Sequence, residues 1–165
     1  MKKLFIPVDF SPHSIRAAEF GTKIARNLGA SCLFYHALAQ PKMTPARMAV
    51  ADYPTIGQIF EEDLNDVISS FEERLRLLSR QLNPEPDELL CQTLVSIDTT
   101  TTGIVKYAEF RNIDLIVMGT KGKSEFDRIN IGSNTSSVIS RTNIPVLAIP
   151  AHNTSQNISH ILFAT

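Results

Sequence analysis

The sequence is poor in the residues that build covalent or metal-held scaffolds. Its 165 residues include two cysteines, Cys32 and Cys91, and no C-x2-C spacing, which excludes a disulfide framework and a cysteine zinc site. Both cysteines lie inside apolar runs and read as reduced, buried thiols. His13, His36, His152 and His160 show no metal-ligand spacing; His36 sits within an apolar run and reads as a core histidine. No stretch approaches the ~20 apolar residues of a membrane span. The N-terminal apolar run, Leu4 to Val8, is ended by Asp9 after five residues, too short for a signal peptide, so a cytoplasmic location is expected. Neither charge sign dominates: 16 basic against 17 acidic residues give a net charge of -1. Without a global basic field, neither nucleic acid nor a membrane surface is an expected partner.

What is present is globular. Hydrophobic residues make up 43% and charged residues 20%, a composition that supports a packed core. Leu4-Phe5-Ile6-Pro7-Val8 is too continuous for a half-exposed strand and too short for a helix, and so predicts a buried strand. Ser11-Pro12 opens a helix whose apolar face is expected from Ile15, Ala18, Ile24, Ala25 and Leu28, with Gly29 as its stop. A second strand follows over 32–38. Residues 39–57 carry three prolines and no dominant period, with a short helix suggested at 46–51. A long amphipathic helix is predicted over 58–81, from Phe60, Leu64, Val67, Phe71, Leu75, Leu78 and Leu82 at three- and four-residue steps; core packing is expected, with a coiled-coil seam as the alternative. A third strand at 88–95, a helix with Ile104, Val105, Ala108 and Phe110, a fourth strand at 114–118, a helix after Gly132-Ser133 with Val138 and Ile139 inward, and a fifth strand at 145–149 complete the series. Alternating buried strands and amphipathic helices predict an α/β fold with a parallel sheet covered on both faces. In such sheets ligands sit beyond the carboxyl ends of the strands, where the strand order reverses.

Two places there suit chemistry. The fourth strand runs into Gly119-Thr120-Lys121-Gly122-Lys123-Ser124, and Gly132-Ser133-Asn134-Thr135 later opens a helix. Small residues let backbone N–H groups approach a phosphate chain, and a helix start adds orphan donors and a positive dipole end. The same residues also suit turn glycines and a helix cap, and generic physics leaves both readings open. A Walker loop is excluded because Val117 stands where its first glycine belongs, and no G-x-G-x-x-G run occurs. Asp9, directly after the first strand, suits an amino or ribose hydroxyl donor, or equally a turn. A phosphoacceptor receiver site is disfavoured by Phe10 beside Asp9 and by Pro150-Ala151 at the end of the fifth strand. No catalytic or metal constellation emerges.

Taken together, Leu4-Phe5-Ile6-Pro7-Val8-Asp9-Phe10-Ser11, Val117-Met118-Gly119-Thr120-Lys121-Gly122, the spacing Gly119-x2-Gly122-x9-Gly132-Ser133, and Ile144-Pro145-Val146-Leu147 resemble the universal stress protein family, in its ATP-binding form. The resemblance covers about residues 2–150, within an expected domain of residues 1–150. It implies a five-stranded parallel sheet of order 3-2-1-4-5 with nucleotide in the crevice between strands 1 and 4. By motif, it places Pro7 and Asp9 at the adenine and ribose end and Ala37 beside the base. It places Gly119 and Gly122 along the ribose and phosphates, and Gly132, Ser133, Asn134 and Thr135 at the phosphates. Asn134 departs from the pattern, where a small apolar residue is commoner. The implied cofactor is ATP, with Mg as its companion ion, in a stress-response signalling module rather than an enzyme. A nucleotide-free dimerising protein acting through protein partners is the alternative. The strand at 145–149 should be a sheet edge that pairs in a homodimer, or in an intrachain pseudo-dimer. The tail supplies that second possibility: Ser159-His160-Ile161-Leu162-Phe163-Ala164-Thr165 resembles Lys2 to Val8. Residues 151–158 then read as a linker, and 159–165 as the first strand of a second, truncated copy in a tandem protein.

Overall fold

A computed structural model describes residues 2–39, 54–85, 89–120 and 132–150, with the backbone alone over 54–63. The expected short helix at 46–51, the loop carrying Lys121, Gly122 and Lys123, the linker and the tail lie outside the described residues. The elements run β1 (Lys3–Pro7), α1 (Pro12–Leu28), β2 (Ser31–Leu38), α2 (Pro54–Leu82), β3 (Cys91–Ile97), α3 (Thr100–Phe110), β4 (Leu115–Gly119), α4 (Ser133–Ile139) and β5 (Val146–Ile149). All strand pairs are parallel, as the alternation of strands and helices predicts, and the order is β3-β2-β1-β4-β5, as the family resemblance implies.

Each sheet face has its own core. Leu4, Ile6, Cys32, Phe34 and Val117 point to the face covered by α1 and α2, where they meet Ala17, Ala18, Ala25, Leu75 and Leu78. Phe5, Leu33, Tyr35, Ile116 and Met118 point the other way, onto Ile104, Ala108 and Val138 of α3 and α4. The central strand is buried from Leu4 to Pro7, which is why its run is apolar without alternation.

Helix α1 starts on Ser11, whose hydroxyl accepts from the Ser14 N–H, with Pro12 at the first helical position. It stops at Gly29, whose φ of 58° puts it in the left-handed region; the N–H of Ala30 reaches back to the Ala25 carbonyl. Its buried face differs from the expected one. Ser14, Ala17, Ala18, Gly21, Thr22 and Ala25 are buried, Ile15 and Ile24 pack at the flank, and Leu28 is exposed. Small residues let the helix lie close on the sheet: a Cβ on Gly21 would stand 2.9 Å from Ile6 Cδ1.

Three other apolar positions expected inward also face out: Val67, Phe110 and Ile139 are exposed. In α2 the burial lies at Leu75 and Leu78, packed against the sheet as expected. Strand β3 begins at Cys91 rather than at residue 88 and is only partly buried along its length, as suits a sheet edge.

Candidate functional site

The sheet order reverses between β1 and β4. Their ladder sets Leu4 opposite Leu115 and Phe5 opposite Ile116 and goes no further. Pro7 accounts for this. The alternation that turns the Lys3 carbonyl to the Asp114 N–H, and the Val8 N–H to the Tyr35 carbonyl, aims residue 7 at β4. A proline there has no N–H to give. The gap that opens is a crevice lined by Pro7, Asp9, Ala37 and Gly119, with Gly132, Ser133, Asn134 and Thr135 at the start of α4. Eight of the nine residues expected to bind ligand therefore line one crevice; the ninth, Gly122, lies outside the described residues.

Their roles differ. Pro7 is buried, Ala37 and Gly119 are half-buried, and Asp9, Ser133 and Asn134 are exposed at the mouth. The Asp9 carboxylate accepts from the Ser11 N–H at 3.0 Å, and the Asp9 N–H donates to Ser14 Oγ at 3.2 Å, so this residue shapes the turn from β1 into α1 as well as facing the crevice. Thr135 is buried, and its hydroxyl donates to the Gly119 carbonyl at 3.1 Å; its part is to tie α4 to the end of β4. Gly132 caps α4 without a side-chain hydrogen bond. Gly119 serves packing: a Cβ there would fall 2.5 Å from the His13 carbonyl oxygen.

The sequence reading missed several lining residues: His13, Tyr35, His36, Thr100, Ile104 and Met118 also border the crevice. His36 is a core histidine, as read, with Nδ1 2.6 Å from the Val8 carbonyl oxygen and its ring stacked on Phe71 at 4.4 Å. That bond makes Nδ1 the protonated nitrogen of the neutral ring. Tyr35 is fully buried, 2.7 Å from Ser96 Oγ, and desolvation pushes its phenol up to about 12. The signal for these residues was position alone: each sits in the carboxyl-terminal half of its strand, or on the first turns of the next helix.

Phe10, next to Asp9, has a φ of 61°, a conformation that costs a bulky residue ~1–3 kcal/mol. Its ring is held by the Arg74 guanidinium, 4.0 Å above the centroid, and by Phe71 and His36 at 5.9 and 5.2 Å. The α2 helix thus braces the turn that presents Asp9.

The profile of the Universal stress protein family matches residues 1–150. The chain belongs to the universal stress protein family. Among its relatives, universal stress protein MJ0531 of Methanocaldococcus jannaschii is 27% identical over 150 residues, covering 90% of this chain and 81% of the relative. Among solved structures, MJ0577 superposes with a TM-score of 0.66 at 22% identity, covering 93% of this chain and 98% of that one. A universal stress protein crystallised in complex with cAMP superposes with a TM-score of 0.60 at 17% identity, covering 91% and 97%. These two structures share the fold of this universal stress protein. Among its described residues no helix is long and apolar enough to cross a membrane.

Proposed function

We propose that this protein binds ATP in the crevice between β1 and β4 and works as a nucleotide-dependent module of stress-response signalling, with at most weak hydrolysis of its ligand. The observation that carries the reading is the convergence of Pro7, Asp9, Ala37, Gly119 and the Gly132–Thr135 turn on one crevice at the point where the strand order reverses. The cAMP complex of a protein with the same fold supports an adenine nucleotide as the ligand class. The crevice has a volume of about 100 Å³, well below the ~300–1,000 Å³ of small-molecule sites. It suits the inner part of a nucleotide, with the phosphates at the open mouth by Ser133 and Asn134. Mg²⁺, as the companion ion of ATP, would be held chiefly through the phosphates. The engagement of Asp9 with Ser11 and of His36 with Val8 favours binding over acid–base work.

A second reading, a nucleotide-free protein acting through dimerisation and protein partners, is favoured by the position of β5 at the edge of the sheet that the described residues form, since a strand edge can pair with a second copy. The deciding experiment is a thermal melt with and without Mg-ATP after stripping any co-purified ligand. At a ligand concentration 100 times Kd, linkage supplies ~2.7 kcal/mol, a rise in Tm of roughly 5–10 °C for a chain of this size. Neither a shift nor calorimetric heat would remove the first reading and leave the second.

A further inference from the structure

The two cysteines, far apart in sequence, stand side by side in the sheet. Register pairs Cys32 of β2 with Cys91, the first residue of β3. Directly opposed residues of parallel strands point to the same face, and both cysteines pack in the cluster between the sheet and the helices α1 and α2. Neighbouring strands lie about 4.8 Å apart, inside the ~4.4–6.8 Å span of Cα atoms joined by a disulfide. Both thiols are free.

Their surroundings are unequal. Cys32 is buried, whereas Cys91 is half-buried and lines a cleft of about 610 Å³ between α2 and β3. The charged side chains that line this cleft among the described residues are Arg76, Arg80 and Arg111; Arg76 also pairs with Glu73 at 3.4 Å. The hydrogen bond from Cys32 holds the Cys91 thiol below its ordinary value against the pull of desolvation, with help from the Ser79 hydroxyl and the Arg26 charge. The same contact pushes Cys32 up. An electropositive, partly open setting is that of a reactive thiolate, and a buried neighbour is placed to resolve what forms on it.

We propose that Cys91 and Cys32 form a peroxide-responsive dithiol, with Cys91 as the attacking thiol and Cys32 as the resolving one. The Cys91 thiolate attacks one oxygen of hydrogen peroxide; the O–O bond breaks, hydroxide leaves, and a sulfenic acid remains on Cys91. The Cys32 sulfur then displaces that hydroxyl. An S–S bond forms, the thiol proton leaves with the hydroxyl as water, and two electrons have passed from the sulfurs to the peroxide. Because β3 is the outer strand of the sheet, it can draw toward β2 to close the bond without displacing a further strand.

The test exposes the reduced full chain to hydrogen peroxide. The expected result is a mass lower by two hydrogens, loss of both titratable thiols, a crosslink between the peptides holding Cys32 and Cys91, and full reversal by dithiothreitol. Cys32→Ala should stop at a sulfenic acid on Cys91 that a 1,3-diketone traps; Cys91→Ser should leave Cys32 unreacted at the same dose. Should either variant fail to fold, native wild-type chain treated with iodoacetamide serves instead: Cys91 is alkylated at least about tenfold faster than Cys32. Two thiols surviving peroxide, a bond formed only between chains, or equal alkylation rates would overturn the proposal.

Discussion

Gly119→Ala adds one methyl group at the most crowded point of the crevice wall. The new Cβ would lie 2.5 Å from the His13 carbonyl oxygen and 2.8 Å from its carbon, about 1 Å inside ordinary contact. These are backbone atoms in the first turn of α1, which Ser11 and Pro12 hold at its start, so they cannot swing aside as a side-chain tip would. On the other side the Thr135 hydroxyl holds the Gly119 carbonyl. Overpacking of this kind costs typically ~1–3 kcal/mol, and at ~2–4 °C per kcal/mol the variant should melt roughly 2–12 °C lower than wild type. The assay is thermal unfolding followed by circular dichroism in the absence of nucleotide, with a urea titration beside it. Gly21→Ala is the control: its Cβ meets side-chain atoms, Ile6 Cδ1 at 2.9 Å and Ile6 Cγ1 and Val117 Cγ1 at 3.4 Å, and a loss below about 1.5 kcal/mol is expected. A Gly119→Ala chain that melts within about 1 °C of wild type, or one more stable than Gly21→Ala, would refute the packing argument. Bulkier substitutions at Gly119 would disturb the same β4–α1 contact, so a loss of ATP binding in them would not by itself mark Gly119 as a ligand contact.

Ser133→Glu puts a negative charge at the exposed start of α4. Repulsion of about 1.4 kcal/mol or more should weaken ATP binding at least tenfold by calorimetry, with Tm of the ligand-free protein unchanged. Tyr35 supplies a pH test. Its folded-state value lies above its ordinary 10.0, at about 12, so its contribution is complete below pH 10 and is lost as pH rises toward 12; urea titrations across that window should show a smaller decline for Tyr35→Phe. The β5 edge gives a third. The Ile116 and Thr120 N–H groups donate to the carbonyls of Pro145 and Ile149, so alternation turns Ala148 outward. Ala148→Pro should remove an outward donor, leave the fold intact and convert a dimer to monomer in sedimentation velocity.

The parallel sheet with helices on both faces was legible because five apolar runs alternate with helical patterns; its strand order came from the family resemblance, since that alternation fits more than one order. The faces of the helices were less legible. Hydropathy singles out large residues, whereas α1 packs through Ser14, Ala17, Ala18, Gly21, Thr22 and Ala25; its closeness to the sheet is a property of size, not of polarity. Leu28, Val67, Phe110 and Ile139 were assigned inward for the same reason and lie exposed. At the site, motif spacing picked out residues that line one crevice, yet it did not show why Pro7 matters. Which way residue 7 faces depends on the register of β1 against β2 and β4, and only the assembled sheet reveals that its missing N–H interrupts the ladder to β4. Nor did spacing reveal that Thr135 spends its hydroxyl on the Gly119 carbonyl, or that Cys32 and Cys91 are neighbours.

The placement of β1 also has a kinetic side. On one flank its partner comes soon, since Ser31 meets Lys2 at a separation of 29 residues. On the other flank Asp114 meets Lys3 only 111 residues later. During synthesis at ~5–20 residues per second, the chain has β2 in hand roughly 4–16 s before β4 is made. For that interval β1, buried from Leu4 to Pro7 in the finished sheet, has α1 and β2 beside it but shows an open flank, and closing it later requires a long loop to be drawn in. Pro7 shortens that flank by one donor, so the residue that opens the crevice in the finished protein also blunts the exposed edge of the nascent one.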